Sequence, residues 1–198
     1  MRPVIGVIMR NNLSESGKPI GIAYHSIVDA IYKSGGIPIA ILNKNIEPYL
    51  NICNGFLLQG GDDFEKIDFD IIKILKDNNI PTLGICLGMQ EMAYLGNGLM
   101  KDIPGHKGTN HKINIKKDSL LYKILKKKTI KVNSSHKSII MKTDLYVSSY
   151  SDKDNMIESV EDKTKTFFLG LQWHPETIYD SDSNAKKIFD YFINVCKK

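Results

Sequence analysis

Gly84-Ile85-Cys86-Leu87-Gly88 sets a cysteine at the centre of a G-x-C-x-G pentapeptide. The run Ile80-Pro81-Thr82-Leu83-Gly84-Ile85 before it reads as a short buried strand, and Leu87 to Leu95 after it as a helix. A cysteine at a sharp strand-to-helix turn, framed by glycines where a β-carbon would clash, is the thiol form of a nucleophile elbow. The start of the helix adds free N–H groups and the positive end of a dipole, which favour thiolate over thiol. A second stretch, Leu171-Gln172-Trp173-His174-Pro175-Glu176, offers an imidazole with a carboxylate two residues on. Proline stiffens the segment, and alternation along an extended chain would point His174 and Glu176 to the same side. A carboxylate so placed holds the imidazole in the tautomer that takes a proton from sulfur. Each residue alone has a plainer reading: a cysteine at a strand end is ordinarily a small hydrophobe, and a lone histidine ordinarily satisfies a local hydrogen bond. Their joint occurrence implies acyl transfer from an amide to a cysteine.

The elements that must position these groups alternate in the first half of the chain. Residues 3–9 read as a strand, 22–34 as a helix with Ile27, Ala30, Ile31 and Ser34 on one face, and 37–42 as a strand. A short helix over 46–53 and a strand over 55–59 follow, the strand running into Gly60-Gly61-Asp62-Asp63. Phe69, Ile72 and Leu75 mark a helix ahead of the elbow strand. Such alternation predicts right-handed crossovers and a mostly parallel sheet, with sites at the carboxyl ends of strands. Gly60-Gly61 and Cys86 both fall at such ends. Beyond residue 110 the segments 111–115, 129–133, 145–150, 156–161 and 166–172 read as short antiparallel strands. Ala185, Ile188, Phe189, Phe192, Ile193 and Cys196 keep helical spacing after a cap at Asp182 or Ser183. The expected fold is therefore α/β, with a mostly parallel central sheet flanked by helices and antiparallel strands added in the C-terminal half, over one domain spanning 1–198.

Composition narrows the classes. With 42% hydrophobic and 25% charged residues the chain can bury a core. Its net charge of +5 is scattered, and the densest cluster, Lys126-Lys127-Lys128, lacks interleaved aromatics and reads as a solvated turn rather than a nucleic-acid surface. Cys53, Cys86 and Cys196 are an odd number without a C-x-x-C pair, which suggests neither a disulfide framework nor a zinc site and points to a reducing, cytoplasmic setting. No stretch approaches the ~20 apolar residues of a membrane span. His106 and His111 lack a third ligand at metal spacing and read as satisfied or rim histidines.

These residues together resemble the class I glutamine amidotransferase superfamily, whose marks are a G-I-C-x-G-x-Q elbow and a closing Q-W/F-H-P-E. Within it the chain looks most like the gamma-glutamyl-gamma-aminobutyrate hydrolase branch, peptidase C26. The resemblance rests on Pro3-Val4-Ile5-Gly6-Val7, Ser34-Gly35-Gly36-Ile37-Pro38, the stretch from Gly55 to Asp63, Asp102-Ile103-Pro104 with His106 and His111, Val132-Asn133-Ser134-Ser135-His136, and Met156 to Glu161. It implies Cys86 as nucleophile, His174 as base and then acid, and Glu176 as the orienting carboxylate. It also implies an oxyanion hole from the backbone of Leu87 and of the Gly60-Gly61 turn, with Gln90, Ser134, Ser135 and His136 lining the acyl pocket. The implied substrate is a small gamma-glutamyl compound, glutamine or a gamma-glutamyl amine, with no metal and no organic cofactor. Partners left open are a second copy of the chain or a separate synthase fed with ammonia; a non-enzymatic binding protein on this fold is a third reading. Two departures from the branch stand out: Lys137-Ser138 where His-Gln is usual after the histidine, and a short connection from Asp62 to Ile67. Both fall where a leaving amine would sit.

Overall fold

The computed structural model describes residues 1–42, 45–62, 64–102 and 108–197. In chain order the first half contains β1 (Val4–Ile8), β2 (Arg10–Leu13), β3 (Pro19–Ile22), α1 (His25–Lys33), β4 (Ile37–Ile41), β5 (Gly55–Leu58), α2 (Lys66–Asp77), β6 (Thr82–Ile85) and α3 (Leu87–Leu95). The second half contains β7 (Leu99–Asp102), β8 (Thr109–Ile115), α4 (Leu120–Leu125), β9 (Thr129–Ser134), β10 (Ser138–Lys142), β11 (Tyr146–Ser151), β12 (Ile157–Glu161), β13 (Phe168–Leu171) and α5 (Ser183–Cys196).

The described strands build a nine-stranded sheet in the order β4-β1-β5-β6-β13-β12-β11-β8-β9. From β4 through β13 neighbours run parallel; from β13 to β9 they run antiparallel. The central strands Gly55–Leu58, Thr82–Ile85 and Phe168–Leu171 are buried on both faces, which is why they read as short apolar runs without polar alternation. Alternation within β5 sends Leu57 to one face, against Ile27, Ile31 and Phe189 of α1 and α5. It sends Phe56 and Leu58 to the other, against Ile72, Leu75 and Met92 of α2 and α3. Burying a side chain of this size contributes roughly 1.5–3 kcal/mol, so the two helical layers clamp the sheet from both sides. The Asp182 carboxylate caps α5, accepting from the N–H groups of Asn184 and Ala185 at 2.6 and 2.8 Å. Lys126 ends α4 in a left-handed conformation, and the three lysines form that exposed turn.

Three local expectations change. The helix expected over 22–34 begins at His25, because Pro19–Ile22 pairs back on Arg10–Leu13 as a hairpin. Its turn is closed by Ser14 N–H donating to Lys18 O, with Gly17 at φ +75°. The segment 46–53 holds only a single 3₁₀ turn, Glu47–Tyr49, consistent with Pro48, which has no N–H to extend it. Finally, β7 and β10 form a separate two-stranded sheet that carried no hairpin signal, since their partners lie far apart in sequence.

Candidate active site

Register brings the chemistry together. In the parallel core Leu58 lies beside Gly84, and Ile85 beside Leu171. Continuing each strand by one or two residues puts Gly60, Cys86 and Gln172 side by side at one carboxyl edge. The ladder reaches Cys86, whose N–H donates to Leu171 O at 2.8 Å.

The elbow is strained at the cysteine itself. Cys86 has φ 53° and ψ −106°, a conformation that L-residues rarely adopt. The flanking glycines serve close approach, as neither has a positive φ. A β-carbon on Gly84 would sit 2.9 Å from the Gly88 carbonyl carbon, and one on Gly88 would sit 2.7 Å from Leu58 Cβ. The strand thus packs directly under the first turn of α3. Among the described residues no backbone carbonyl accepts from the N–H groups of Gly60, Gly61 or Leu87, which leaves donors at this edge.

His174 Nδ1 lies 2.7 Å from Glu176 Oε1, which leaves Nε2 as the ring nitrogen free to serve the Cys86 sulfur. The contact is the expected one, but its cause differs. Pro175–Ile178 forms a 3₁₀ turn, not an extended strand, and this turn folds Glu176 back onto the imidazole. Burial of His174 opposes protonation, yet the hydrogen bonds to Cys86 and Glu176 outweigh it and push the imidazole up to about 10.

A cavity of about 480 Å³ opens over this edge, within the usual range for small-molecule sites. Of the expected residues, Cys86, His174, Glu176, Gly60, Gly61, Gln90, Ser135 and His136 line it. Gln90 uses both amide hydrogens internally, on Ser138 O at 2.9 Å and Gln172 Oε1 at 3.0 Å, so it offers the cavity an acceptor. Leu87 does not line the cavity; it is the first residue of α3. Ser134 does not line the cavity. Period-two alternation in β9 buries it with Ile130 and Val132 and turns Asn133 toward the cavity instead. His111 is a buried histidine whose Nε2 meets Glu158 Oε1 at 2.9 Å, and that hydrogen bond raises its pKa. His106, Asp63 and Ile103-Pro104 lie outside the described residues.

Three contributors went unread in the sequence. Asn133 holds the main chain of His174, accepting from its N–H at 3.1 Å and donating to its carbonyl at 3.0 Å. Gln172, fully buried, directs its amide toward Cys86 Sγ at 3.8 Å. Arg10 sits beneath the Gly60-Gly61 turn. The first two stood inside motifs already singled out, and strand register was the signal that could have found them.

A mixed sheet with a cysteine elbow at its carboxyl edge and a histidine–carboxylate pair at the adjoining strand end defines a class I glutamine amidotransferase-like fold. Over residues 3–176 the chain matches the Peptidase C26 family and belongs to it, a family of cysteine hydrolases. It is 26% identical to the Escherichia coli gamma-glutamyl-gamma-aminobutyrate hydrolase PuuD, covering 98% of this chain and 94% of that protein. It is 29% identical to one component of the glutamine-hydrolyzing GMP synthase from Methanococcus aeolicus, covering 80% of each. The glutaminase domain of Trypanosoma brucei CTPS with bound acivicin superposes with a TM-score of 0.79 at 17% identity, covering 98% and 94% of the two chains. Among the described residues no helix is long and apolar enough to cross a membrane.

Proposed function

We propose that the protein hydrolyses gamma-glutamyl amides through a gamma-glutamyl thioester on Cys86. The observation that carries this reading is the line Cys86–His174–Glu176 beside a turn whose N–H groups have no backbone acceptor. Having passed its proton to His174, the Cys86 sulfur attacks the amide carbonyl carbon as the thiolate, and the resulting oxyanion is met by the N–H groups of Gly61 and Leu87. As the tetrahedral adduct collapses, the C–N bond breaks and His174 gives its Nε2 proton to the leaving amine. A water then adds to the thioester carbonyl, losing its proton to His174, and glutamate departs as the C–S bond breaks. Glu176 holds the imidazole orientation throughout. Similarity to PuuD, a hydrolase by name, supports turnover by the chain alone.

The second reading is a glutaminase component serving a synthase, supported by the likeness to the GMP synthase component. Both readings share the thioester and differ in who triggers it. The deciding experiment incubates purified protein with glutamine and a panel of gamma-glutamyl amines and measures glutamate release. Turnover without any partner supports the hydrolase. Release that appears only with an added synthase supports the second reading, and no thioester under either condition would sink both.

A further inference from the structure

Arg10, the first residue of β2, is a buried cation beneath the turn that follows β5. Each of its five N–H donors has an acceptor. Nε donates to Gly60 O at 3.3 Å and Nη2 to Gln59 O at 2.6 Å. The remaining hydrogens go to Asp68 and, at 3.0 and 2.9 Å, to both oxygens of Glu91. Gly61 permits the approach, since a β-carbon there would lie 3.1 Å from Arg10 Nε. The Gln59 side chain is pinned too, donating to Ile8 O and Ile22 O and accepting from Tyr24 N–H.

These contacts fix the direction of two peptide units. In a trans peptide the C=O and the N–H of one unit point opposite ways, and the described residues contain no cis bond. The Gln59 carbonyl shares its unit with Gly60 N–H, and the Gly60 carbonyl shares its unit with Gly61 N–H. We propose that Arg10 is a positioning residue that presets the oxyanion turn, holding the Gln59 and Gly60 carbonyls so that the N–H groups of Gly60 and Gly61 face away from it, toward Cys86. This rests on the reading of the site as an amide hydrolase.

A buried ion cluster is a poor stabiliser compared with apolar packing, so stability alone gives little reason for this one. Burial and the neighbouring Asp68 push the Glu91 carboxyl up to about 8 against the pull of Arg10. A proton on Glu91 leaves one carboxylate for one guanidinium. The cluster can then hold the turn in a fixed geometry before any substrate or partner arrives.

The test separates steps that need an oxyanion from one that does not. Glutamate γ-semialdehyde adds to the thiol as a tetrahedral hemithioacetal, whereas alkylation by iodoacetamide needs only a reactive sulfur. In Arg10→Lys, which keeps the charge but cannot hold two carbonyls and two carboxylates at once, aldehyde affinity and kcat should each fall about 100-fold or more. Alkylation of Cys86 should stay within about threefold of wild type. Should that variant not fold, Arg10→Met/Asp68→Asn/Glu91→Gln removes the buried charges together and is expected to show the same split. Aldehyde affinity equal to wild type in a folded variant, or alkylation falling in step with it, overturns the proposal. Wild type that fails to release glutamate from any gamma-glutamyl amide speaks against the hydrolase reading instead. In that case a crystal structure of the folded variant still decides: a rotated Gly60-Gly61 peptide supports the positioning role, and an unchanged turn overturns it.

Discussion

Asn133 grips His174 by its main chain, accepting from the N–H at 3.1 Å and donating to the carbonyl at 3.0 Å. His174 is thus fixed by a residue of β9, at the far antiparallel edge of the sheet, as well as by its own strand. Asn133→Ala removes both bonds and should lower kcat roughly 10- to 100-fold, the scale of about 1–3 kcal/mol for lost buried hydrogen bonds. KM should move much less. Steady-state kinetics check this, and an unchanged kcat would show that Pro175 and Glu176 hold the imidazole unaided.

The thiols should differ sharply in reactivity. Burial pushes Cys53 up to about 11 and Cys196 up to about 12, so both stay protonated and inert near neutral pH. Cys86 faces the cavity beside the His174 imidazole, whose pKa the neighbouring Cys86 and Glu176 raise. Brief treatment with iodoacetamide at mildly alkaline pH should label Cys86 almost alone by peptide mass spectrometry, and His174→Ala should slow that labelling at least tenfold. Comparable labelling of all three thiols in the folded protein would contradict the assignment.

Glu91 gives stability a pH dependence whose sign can be fixed. In the folded chain burial lifts its carboxyl from the ordinary 4.5 to about 8. Between those values the folded state holds a proton that the unfolded state has lost, so this residue's contribution to stability falls as pH rises from about 4.5 to about 8 and levels off above. Glu91→Gln should flatten that part of the profile. Urea unfolding at about pH 5 and about pH 9 measures it, and parallel profiles for variant and wild type would refute the direction.

At the cavity mouth Lys137 Nζ stands 3.5 Å from an Asp62 carboxylate oxygen, with both side chains largely exposed. Exposed pairs of this kind contribute about 0–1 kcal/mol, too little to select strongly among leaving groups. Discrimination among gamma-glutamyl amines should therefore stay within about tenfold in kcat/KM, or roughly 1.4 kcal/mol. Lys137→Ala should shift any preference by less than about fivefold. A thousandfold preference for one amine would mean that a wall outside these two residues shapes the pocket.

The β6–Cys86–α3 turn was legible because apolar run, glycine frame and helical pattern agree over a dozen adjacent residues. The pairing of His174 with Glu176 was legible as a contact, though local spacing cannot separate an extended segment from the 3₁₀ turn that makes it. Ser134 and Asn133 were interchanged because a short motif does not reveal which face of β9 looks inward; that phase is set by Ile130 and Val132 against the core. Arg10 was invisible for a different reason. Nothing about an arginine followed by two asparagines announces that Asp68 and Glu91, 58 and 81 residues away, will enclose it.

The strand that delivers His174 is the last of the sheet to be synthesised, yet it is inserted at the middle, between β6 and β12. During translation the elbow cysteine therefore exists for some eighty residues with no His174 beside it and with β6 unpaired on that flank. Non-local pairing of this kind is slow to form. Its late arrival acts as a timer: the thiol gains its imidazole neighbour only when β13 zips between its neighbours. Any activation of the thiol by His174 is then a property of the assembled sheet rather than of the elbow alone.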